Sequence, residues 1–250
     1  MRSLALALIV LSVAGAGCGD STPTEPTPQG ASAFTETFTG TLKASGTAFY
    51  SFGAIGGNVA ITFASLTNTM TGAVVGATPR IGLGIPAGTG CGLSTSLTSA
   101  AALSAQIVTT LAPGIYCVSI TDTGGVTADS DFAIRITQGS LALLSTTSPE
   151  TFNSNLSVNG SSTRTFTVAG GTGTGLATVR LDSVSPSTVI GFGIGLWRFD
   201  TGTCSLTQVI NSSGGAQFSL PIDQGTYCVR VFDTGTLTNP VAFAANLIHP

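Results

Sequence analysis

Gly114-Ile-Tyr-Cys-Val-Ser-Ile-Thr-Asp-Thr-Gly124 is written a second time in this chain, as Gly225-Thr-Tyr-Cys-Val-Arg-Val-Phe-Asp-Thr-Gly235. In each copy a glycine opens the segment and Asp-Thr-Gly turns the chain away. Between them Tyr116, Val118 and Ile120, or Tyr227, Val229 and Val231, supply one apolar face at period two. That pattern is a buried strand. Its repetition is the first sign that an entire β-domain has been duplicated.

Working outward, Thr35-Glu36-Thr37-Phe38 with Leu42, Gly46 and Phe52 recurs 114 residues later as Pro149-Glu150-Thr151-Phe152 with Leu156, Gly160 and Phe166. Val59 to Leu66 is matched by Ala177 to Val184, and in both apolar residues alternate with small or polar ones, as in a half-buried antiparallel strand. Ile81-Gly82-Leu83-Gly84-Ile85 aligns with Ile190-Gly191-Phe192-Gly193-Ile194. Glycine at every second position of a strand predicts that another backbone or side chain approaches closely on that face. A phosphate loop is the competing reading, but no following helix, lysine or magnesium-binding Ser/Thr accompanies the glycines. Closing strands are expected at Phe132-Ala133-Ile134-Arg135-Ile136 and Phe243-Ala244-Ala245-Asn246-Leu247, offset by 111 residues like Cys117 and Cys228. The Ala-rich Ser99 to Gln106 has helix propensity. Its counterpart, Gln208 to Ser219, is rich in Gly and Ser, so strand or loop is expected instead. Each copy thus holds some six to eight short strands between Gly, Asn, Asp and Pro turns, the signature of a sandwich or barrel.

The N-terminus is of another kind. Met1-Arg2, an apolar run from Leu4 to Val13 and the small residues Ala14-Gly15-Ala16-Gly17 before Cys18 describe a secretory signal over 1–17. Gly15-Ala16-Gly17-Cys18 resembles the lipobox of bacterial lipoproteins, in which cleavage precedes a cysteine that carries a diacylglycerol. It departs at its first position, where Gly15 replaces the preferred leucine; the alternative is an ordinary secretory signal in which Cys18 is incidental and the protein is secreted. Residues 18–32, with Thr22-Pro23-Thr24-Glu25-Pro26-Thr27-Pro28, read as an extended, solvated tether. Domain 1 is expected over 33–138, a linker over 139–148 and domain 2 over 149–250.

Only 8% of the residues are charged, the net charge is −3, and Lys and Arg form no cluster. This lacks the basic footprint of a nucleic-acid binder and the charge density of a disordered chain. After the first segment no run of 18 apolar residues exists to span a bilayer. Besides Cys18 there are four cysteines, two per copy. Four thiols allow three pairings, and equivalent pairs in two domains favour Cys91 with Cys117 and Cys204 with Cys228. An exported chain meets the oxidising conditions in which such bonds persist.

The order of opening hairpin, Gly-Gly strand, Ile-Gly-Leu-Gly-Ile strand and Gly-Xaa-Tyr-Cys-Val strand resembles the bacterial pre-peptidase C-terminal domain, in tandem over most of residues 33 to 250. The resemblance implies an all-β fold of two jelly-roll-like antiparallel β-sandwiches, appended in that family to exported enzymes and serving secretion, substrate contact or adhesion. Family members often carry acidic residues before the central strand, where this chain has Thr78-Pro79-Arg80 and Ser187-Thr188-Val189.

No catalytic signature accompanies the fold. His249 is the single histidine, one residue from the C-terminus, where a fraying end holds an imidazole poorly. Lys43, the sole lysine, reads as a solvated turn residue. Asp122 and Asp233 are equivalent turn residues expected to bind their own backbone. Asp129 and Asp131 are a calcium alternative that copy two, with Pro240 and Ala242, does not share. The clearest asymmetry is Leu196-Trp197-Arg198-Phe199-Asp200, which replaces the blander Pro86-Ala87-Gly88-Thr89. Trp197, Arg198 and Asp200 are the candidate ligand contacts, a sugar or protein being the ligand; the alternative is that Trp197 and Phe199 cap the core or seal the joint between domains. The expectation is a non-enzymatic, exported envelope lipoprotein. It would hold its membrane by the lipid and bind a cell-surface glycan or protein, with no cofactor, metal or nucleic acid. The alternatives are a structural or secretion-related module without ligand, and a hydrolase using only carboxylates such as Asp122, Asp131, Asp200 and Asp233.

Overall fold

Period-two patterning and frequent turns leave no room for helix, and in the computed structural model every regular element among the described residues is a strand. The described residues are 34–139, 149–168 and 175–250. The expected signal segment, Cys18 with its tether, and the linker beyond Gly139 lie outside them. The first repeat forms β1 (Phe34–Leu42), β2 (Thr47–Ala54), β3 (Gly57–Asn68), β4 (Arg80–Ala87), β5 (Gly90–Thr98), β6 (Ile107–Leu111), β7 (Gly114–Thr121) and β8 (Ser130–Gln138). The second forms β9 (Glu150–Leu156), β10 (Ser161–Val168), β11 (Gly175–Ser185), β12 (Ile190–Arg198), β13 (Thr203–Ser212), β14 (Ala216–Ile222), β15 (Gly225–Phe232) and β16 (Val241–Ile248).

The hydrogen-bonded orders are β1-β8-β3-β6 and β2-β7-β4-β5, then β9-β16-β11-β14 and β10-β15-β12-β13, all antiparallel. Adding eight to each strand of the first pair of sheets generates the second pair. Each repeat is an eight-stranded jelly-roll sandwich. The duplicated stretch is β7 and β15, each held between two partners, with Val118, Ile120, Val229 and Val231 buried in the two cores.

Two local features depart from simple alternation. In β3, Val59, Ile61 and Phe63 point into the core, but the next core residue is Leu66, because the register shifts between Phe63 and Ser65. The matching shift in β11 lies between Leu181 and Ser183. A bulge of this kind inserts one unpaired residue and reverses the faces beyond it. Buried Ala64 is thereby delivered to the core of the second sandwich rather than its own.

The glycine strands require a correction of two residues. Gly84 pairs with Cys117, and Gly195, not Gly193, pairs with Cys228. Ile81 is therefore equivalent to Phe192, not Ile190, and the glycine alternation in β12 runs one pair further. A slip of two preserves which face each residue occupies, so alternation is blind to it; only the cysteines across the ladder fix the register.

The close approach expected at these glycines is present. A Cβ on Gly84 would lie 2.0 Å from the Gly92 carbonyl oxygen, and one on Gly195 would lie 1.9 Å from that of Ser205. The cause is visible in the disulfides. Cys91 of β5 and Cys117 of β7 stand on either side of β4, where strands two apart are normally about 9.5 Å away. Their Cα atoms are 5.8 Å apart, as are those of Cys204 and Cys228 across β12. The sheet folds over its central strand at a register shift, between Leu83 and Gly84 or between Ile194 and Gly195. Only glycine leaves space there.

The Ala-rich segment is a loop, and it crosses to the other repeat. Leu103 is fully buried in the second sandwich's core and forms a parallel bridge with Ile222. Ala105 N–H donates to Asp223 Oδ2 (2.6 Å), and Thr207 Oγ1 donates to the Ala64 carbonyl (2.5 Å). The two sandwiches share a buried joint.

Candidate functional site

The joint is built from the outer face of β8. Phe132, Ile134 and Ile136 face the first core, so by period two Ala133, Arg135 and Thr137 face away from it. On an isolated sandwich that face would be wet. Here the second repeat covers it, and Arg135 is only 2% exposed.

The guanidinium of Arg135 lies 5.1 Å from the ring centroid of Tyr227. Nη1 donates to the Tyr227 hydroxyl (2.5 Å) and Nη2 to the Leu103 carbonyl (3.2 Å), while Nε has no partner. Tyr227 in turn donates to the Asp223 carbonyl (2.6 Å). Burial pushes its pKa up to about 12, the adjacent Arg135 opposing only part of the rise, so the phenol remains a donor. Gly225 is needed beside them, since a Cβ there would meet Arg135 Nη1 at 2.2 Å. Next to it, the side-chain oxygen Oε1 of Gln224 is buried and also lacks a partner. A buried guanidinium bonded to neutral groups, with one N–H unmet, is a costly arrangement that needs an explanation.

Arg135 and Gln224, the residues that carry these two buried groups, both line one groove of about 430 Å³ between the sandwiches. Trp197 and Phe199 form its aromatic wall, and Thr35 and Thr37 of β1 line it from the first sandwich. Thr167 and Thr226, whose hydroxyls are 3.4 Å apart, line it from the second. Trp197 is half-buried, at the end of β12 opposite Cys204, whereas Phe199 is 78% exposed in the hairpin that follows.

Of the three predicted contacts, Trp197 alone lines this groove. Arg198 and Asp200 bind each other through Nε–Oδ1 (3.3 Å) and Nη2–Oδ2 (2.8 Å), and the Arg198 hydrogen bond holds the Asp200 carboxyl below its usual range. They brace the hairpin that presents Phe199. Arg135 and Gln224 were not legible as contacts, because only the docking of the second sandwich on β8 makes them so. The one available signal was a charged residue inside a predicted closing strand.

A second groove of about 650 Å³ runs between the 71–76 loop and β13 and β15, and it includes Arg230, whose guanidinium sits 5.6 Å from the Phe232 ring. None of its lining side chains is among the described buried polar groups that lack a partner.

The remaining polar residues have local work. Asp122 and Asp233 each cap a loop through backbone N–H groups. Asp131 accepts from Thr41 (2.8 Å), and the Asp129 carbonyl accepts from Thr69 (2.9 Å). Among the described residues no three His, Cys, Asp or Glu side chains gather as a metal site. Lys43 is exposed in the β1–β2 turn. His249 overturns the fraying-end expectation. It is 6% exposed: its ring lies tilted against Phe166 with centroids 4.6 Å apart, and Nε2 lies 3.4 Å from Glu150, which Arg164 also binds at 2.8 Å.

No protein-family model matches the chain, and no curated protein sequence does. Among solved structures, it is similar to one from Sulfolobus Turreted Icosahedral Virus (TM-score 0.27, 12% identity, 87% of this chain and 91% of the other). It is similar also to the PBSX exported protein XepA (TM-score 0.29, 10% identity, 87% and 86%) and to the CUB1-EGF-CUB2 domains of rat MASP-1 (TM-score 0.23, 9% identity, 84% and 96%).

Proposed function

We propose that this protein is an exported bacterial envelope lipoprotein whose paired sandwiches act without catalysis, as a saccharide-binding module. The carrying observation is the inter-sandwich groove, which the half-buried Trp197 and exposed Phe199 line together with four threonines and with Arg135 and Gln224, each carrying an unpaired buried polar group. Aromatic faces beside a few fixed hydrogen-bonding groups are how proteins hold a small polar ligand. The jelly-roll fold agrees with the pre-peptidase C-terminal resemblance, and that relationship is part of the proposal. The two disulfides agree with an oxidising, extracytoplasmic location. The lipobox-like Gly15-Ala16-Gly17-Cys18 and the Pro/Thr tether supply an anchor and a spacer. Asp122 and Asp233 are taken up by loop N–H groups, Asp131 by Thr41 and Asp200 by Arg198, which weighs against the hydrolase alternative.

Two experiments test the reading. Glycan-array and cell-wall pull-down assays should detect a saccharide ligand whose capture is abolished by Trp197→Ala in a folded protein. Equal capture by wild type and variant, or no saccharide bound by either, rejects the binding role. Expression of Cys18→Ser should move the protein from the membrane fraction to the soluble one; unchanged fractionation rejects the anchor.

A further inference from the structure

Resting on the saccharide-binding reading, the geometry points to a more specific ligand: a saccharide that carries a carboxylate, its ring against Trp197 and its acid group directed to Arg135. We infer this from the imbalance at the bottom of the groove. Arg135 comes from one sandwich and Gly225, Gln224 and Trp197 from the other, so the site exists only where both repeats meet.

A guanidinium has five N–H donors in a rigid fork and no acceptor. The two hydrogen bonds of Arg135 go to a phenol and a backbone carbonyl, and Nε, though buried, is left unmet. A bond to a carboxylate, in which donor and acceptor are both charged, is stronger than the bonds to uncharged acceptors now present, and the planar fork matches a carboxylate in a way a lysine would not. Gly225 lets the backbone of the second sandwich pack against Nη1, where any larger residue would collide, and so holds the guanidinium at the floor of the groove. Gln224 Oε1 is an acceptor without a donor, and a sugar hydroxyl supplies one. The groove volume of about 430 Å³ is within the range of small-ligand sites. Trp197 and Phe199 in the lining offer aromatic carbon to the C–H face of a pyranose, and threonines 35, 37, 167 and 226 line the same groove. A neutral sugar would use the aromatic wall and the hydroxyls but leave the guanidinium unsatisfied.

The test uses the mature chain and oligogalacturonate, with the methyl-esterified oligomer of the same length as the neutral control. Calorimetry should give affinity for the acid at least about tenfold above that for the ester, since one charge-assisted contact distinguishes them. Trp197→Ala should weaken both ligands. In parallel, the Nε–H resonance of Arg135, assigned by loss in Arg135→Lys, should shift on adding the acid and not on adding the ester. This second readout uses wild-type protein and stands even where Arg135→Lys folds poorly, the assignment then being made through bonds. Equal affinity for acid and ester, or acid binding that leaves the Arg135 signal unmoved, overturns this inference while leaving a neutral saccharide module intact. If broad glycan screening also finds no ligand, both readings fail together.

Discussion

Asp122 and Asp233 hold the same post in the two sandwiches, bond for bond. Asp122 Oδ1 accepts from the N–H groups of Gly124, Gly125 and Val126 at 2.9, 3.0 and 3.1 Å, and Oδ2 accepts from Ser45 at 2.8 Å. Asp233 does the same with Gly235, Thr236, Leu237 and Asn159, at the same four distances. Ser45 and Asn159 both sit at φ 56°, a conformation that short polar residues tolerate. One carboxylate thus pins the loop after the Tyr-Cys-Val strand to the opening hairpin. The sequence-level expectation of an Asx turn captures the first half of that task, not the long-range tie.

From this follows a pH dependence. At Asp122 the Ser45 N–H is the largest influence, and with the loop N–H groups it outweighs the effect of burial, so the carboxyl titrates below its ordinary range. At Asp233 burial is the largest single influence and acts upward, yet the four N–H groups together still leave the carboxyl lowered. A folded pKa below the unfolded one gives stability that is fully present above the unfolded value and is lost as pH falls through the folded one. Melting temperature should therefore decline as pH drops from about 5 toward about 2. The double variant Asp122→Asn/Asp233→Asn should start lower at neutral pH and show a shallower decline. Parallel curves for wild type and variant would show that the two caps do not cause the acid sensitivity.

The glycine face gives a sharper contrast. Gly84→Ala and Gly195→Ala place a methyl group within 2.0 Å of a carbonyl oxygen, and both neighbours are backbone, which cannot rotate aside. Each should cost about 3 kcal/mol, the upper end for overpacking, when measured by urea unfolding. Gly53→Ala on β2 meets nothing within 4 Å and should be neutral or stabilise slightly. If all three variants unfold together with wild type, β5 does not lie over β4 as described.

Much of this architecture was legible because period-two runs, turns and a repeated Tyr-Cys-Val strand are local signals. What escaped was relational. A slip of two residues along Ile190 to Leu196 leaves every side chain on its own face, so only pairing with Cys228 fixes the register. The bulge after Phe63 was hidden for the opposite reason: it adds one residue, so the second half of an apparently alternating strand is out of phase. Arg135 and Leu103 were illegible as site and core residues, because each meets a partner of the other sandwich, Tyr227 and Ile222, at least 92 residues away along the chain. Trp197 was found by comparing the two copies, a difference that needs no tertiary knowledge. Its partners were not.

The two disulfides should act independently. Each closes a loop within one repeat, spanning 26 and 24 residues, and the chain-entropy estimate gives about 3 kcal/mol apiece. Replacing Cys91 and Cys117 by serine should destabilise the first sandwich by roughly that amount and leave Cys204–Cys228 bonded, as peptide mapping under non-reducing conditions would show. Recovery of a Cys91–Cys204 or Cys117–Cys228 peptide from the wild-type protein would contradict the pairing.

The joint itself makes the last prediction. Leu103 belongs by sequence to the first repeat, yet its side chain is fully buried among the core residues of the second, beside Ile222 at the end of β14. Truncating a buried leucine removes transfer energy and leaves a cavity, at a cost of about 2 to 5 kcal/mol. In Leu103→Ala that loss should appear in the second sandwich, as faster amide exchange in β14 and β15, while the strands β2, β4 and β7 of the first sandwich keep their protection. Exposed Ile115 on β7 provides the control, and Ile115→Ala should change stability by no more than about 0.5 kcal/mol. Faster exchange confined to the first sandwich would mean that the 100–106 loop does not seat in its neighbour. Arg135 would then lose the Leu103 carbonyl that its Nη2 binds beside the shared groove.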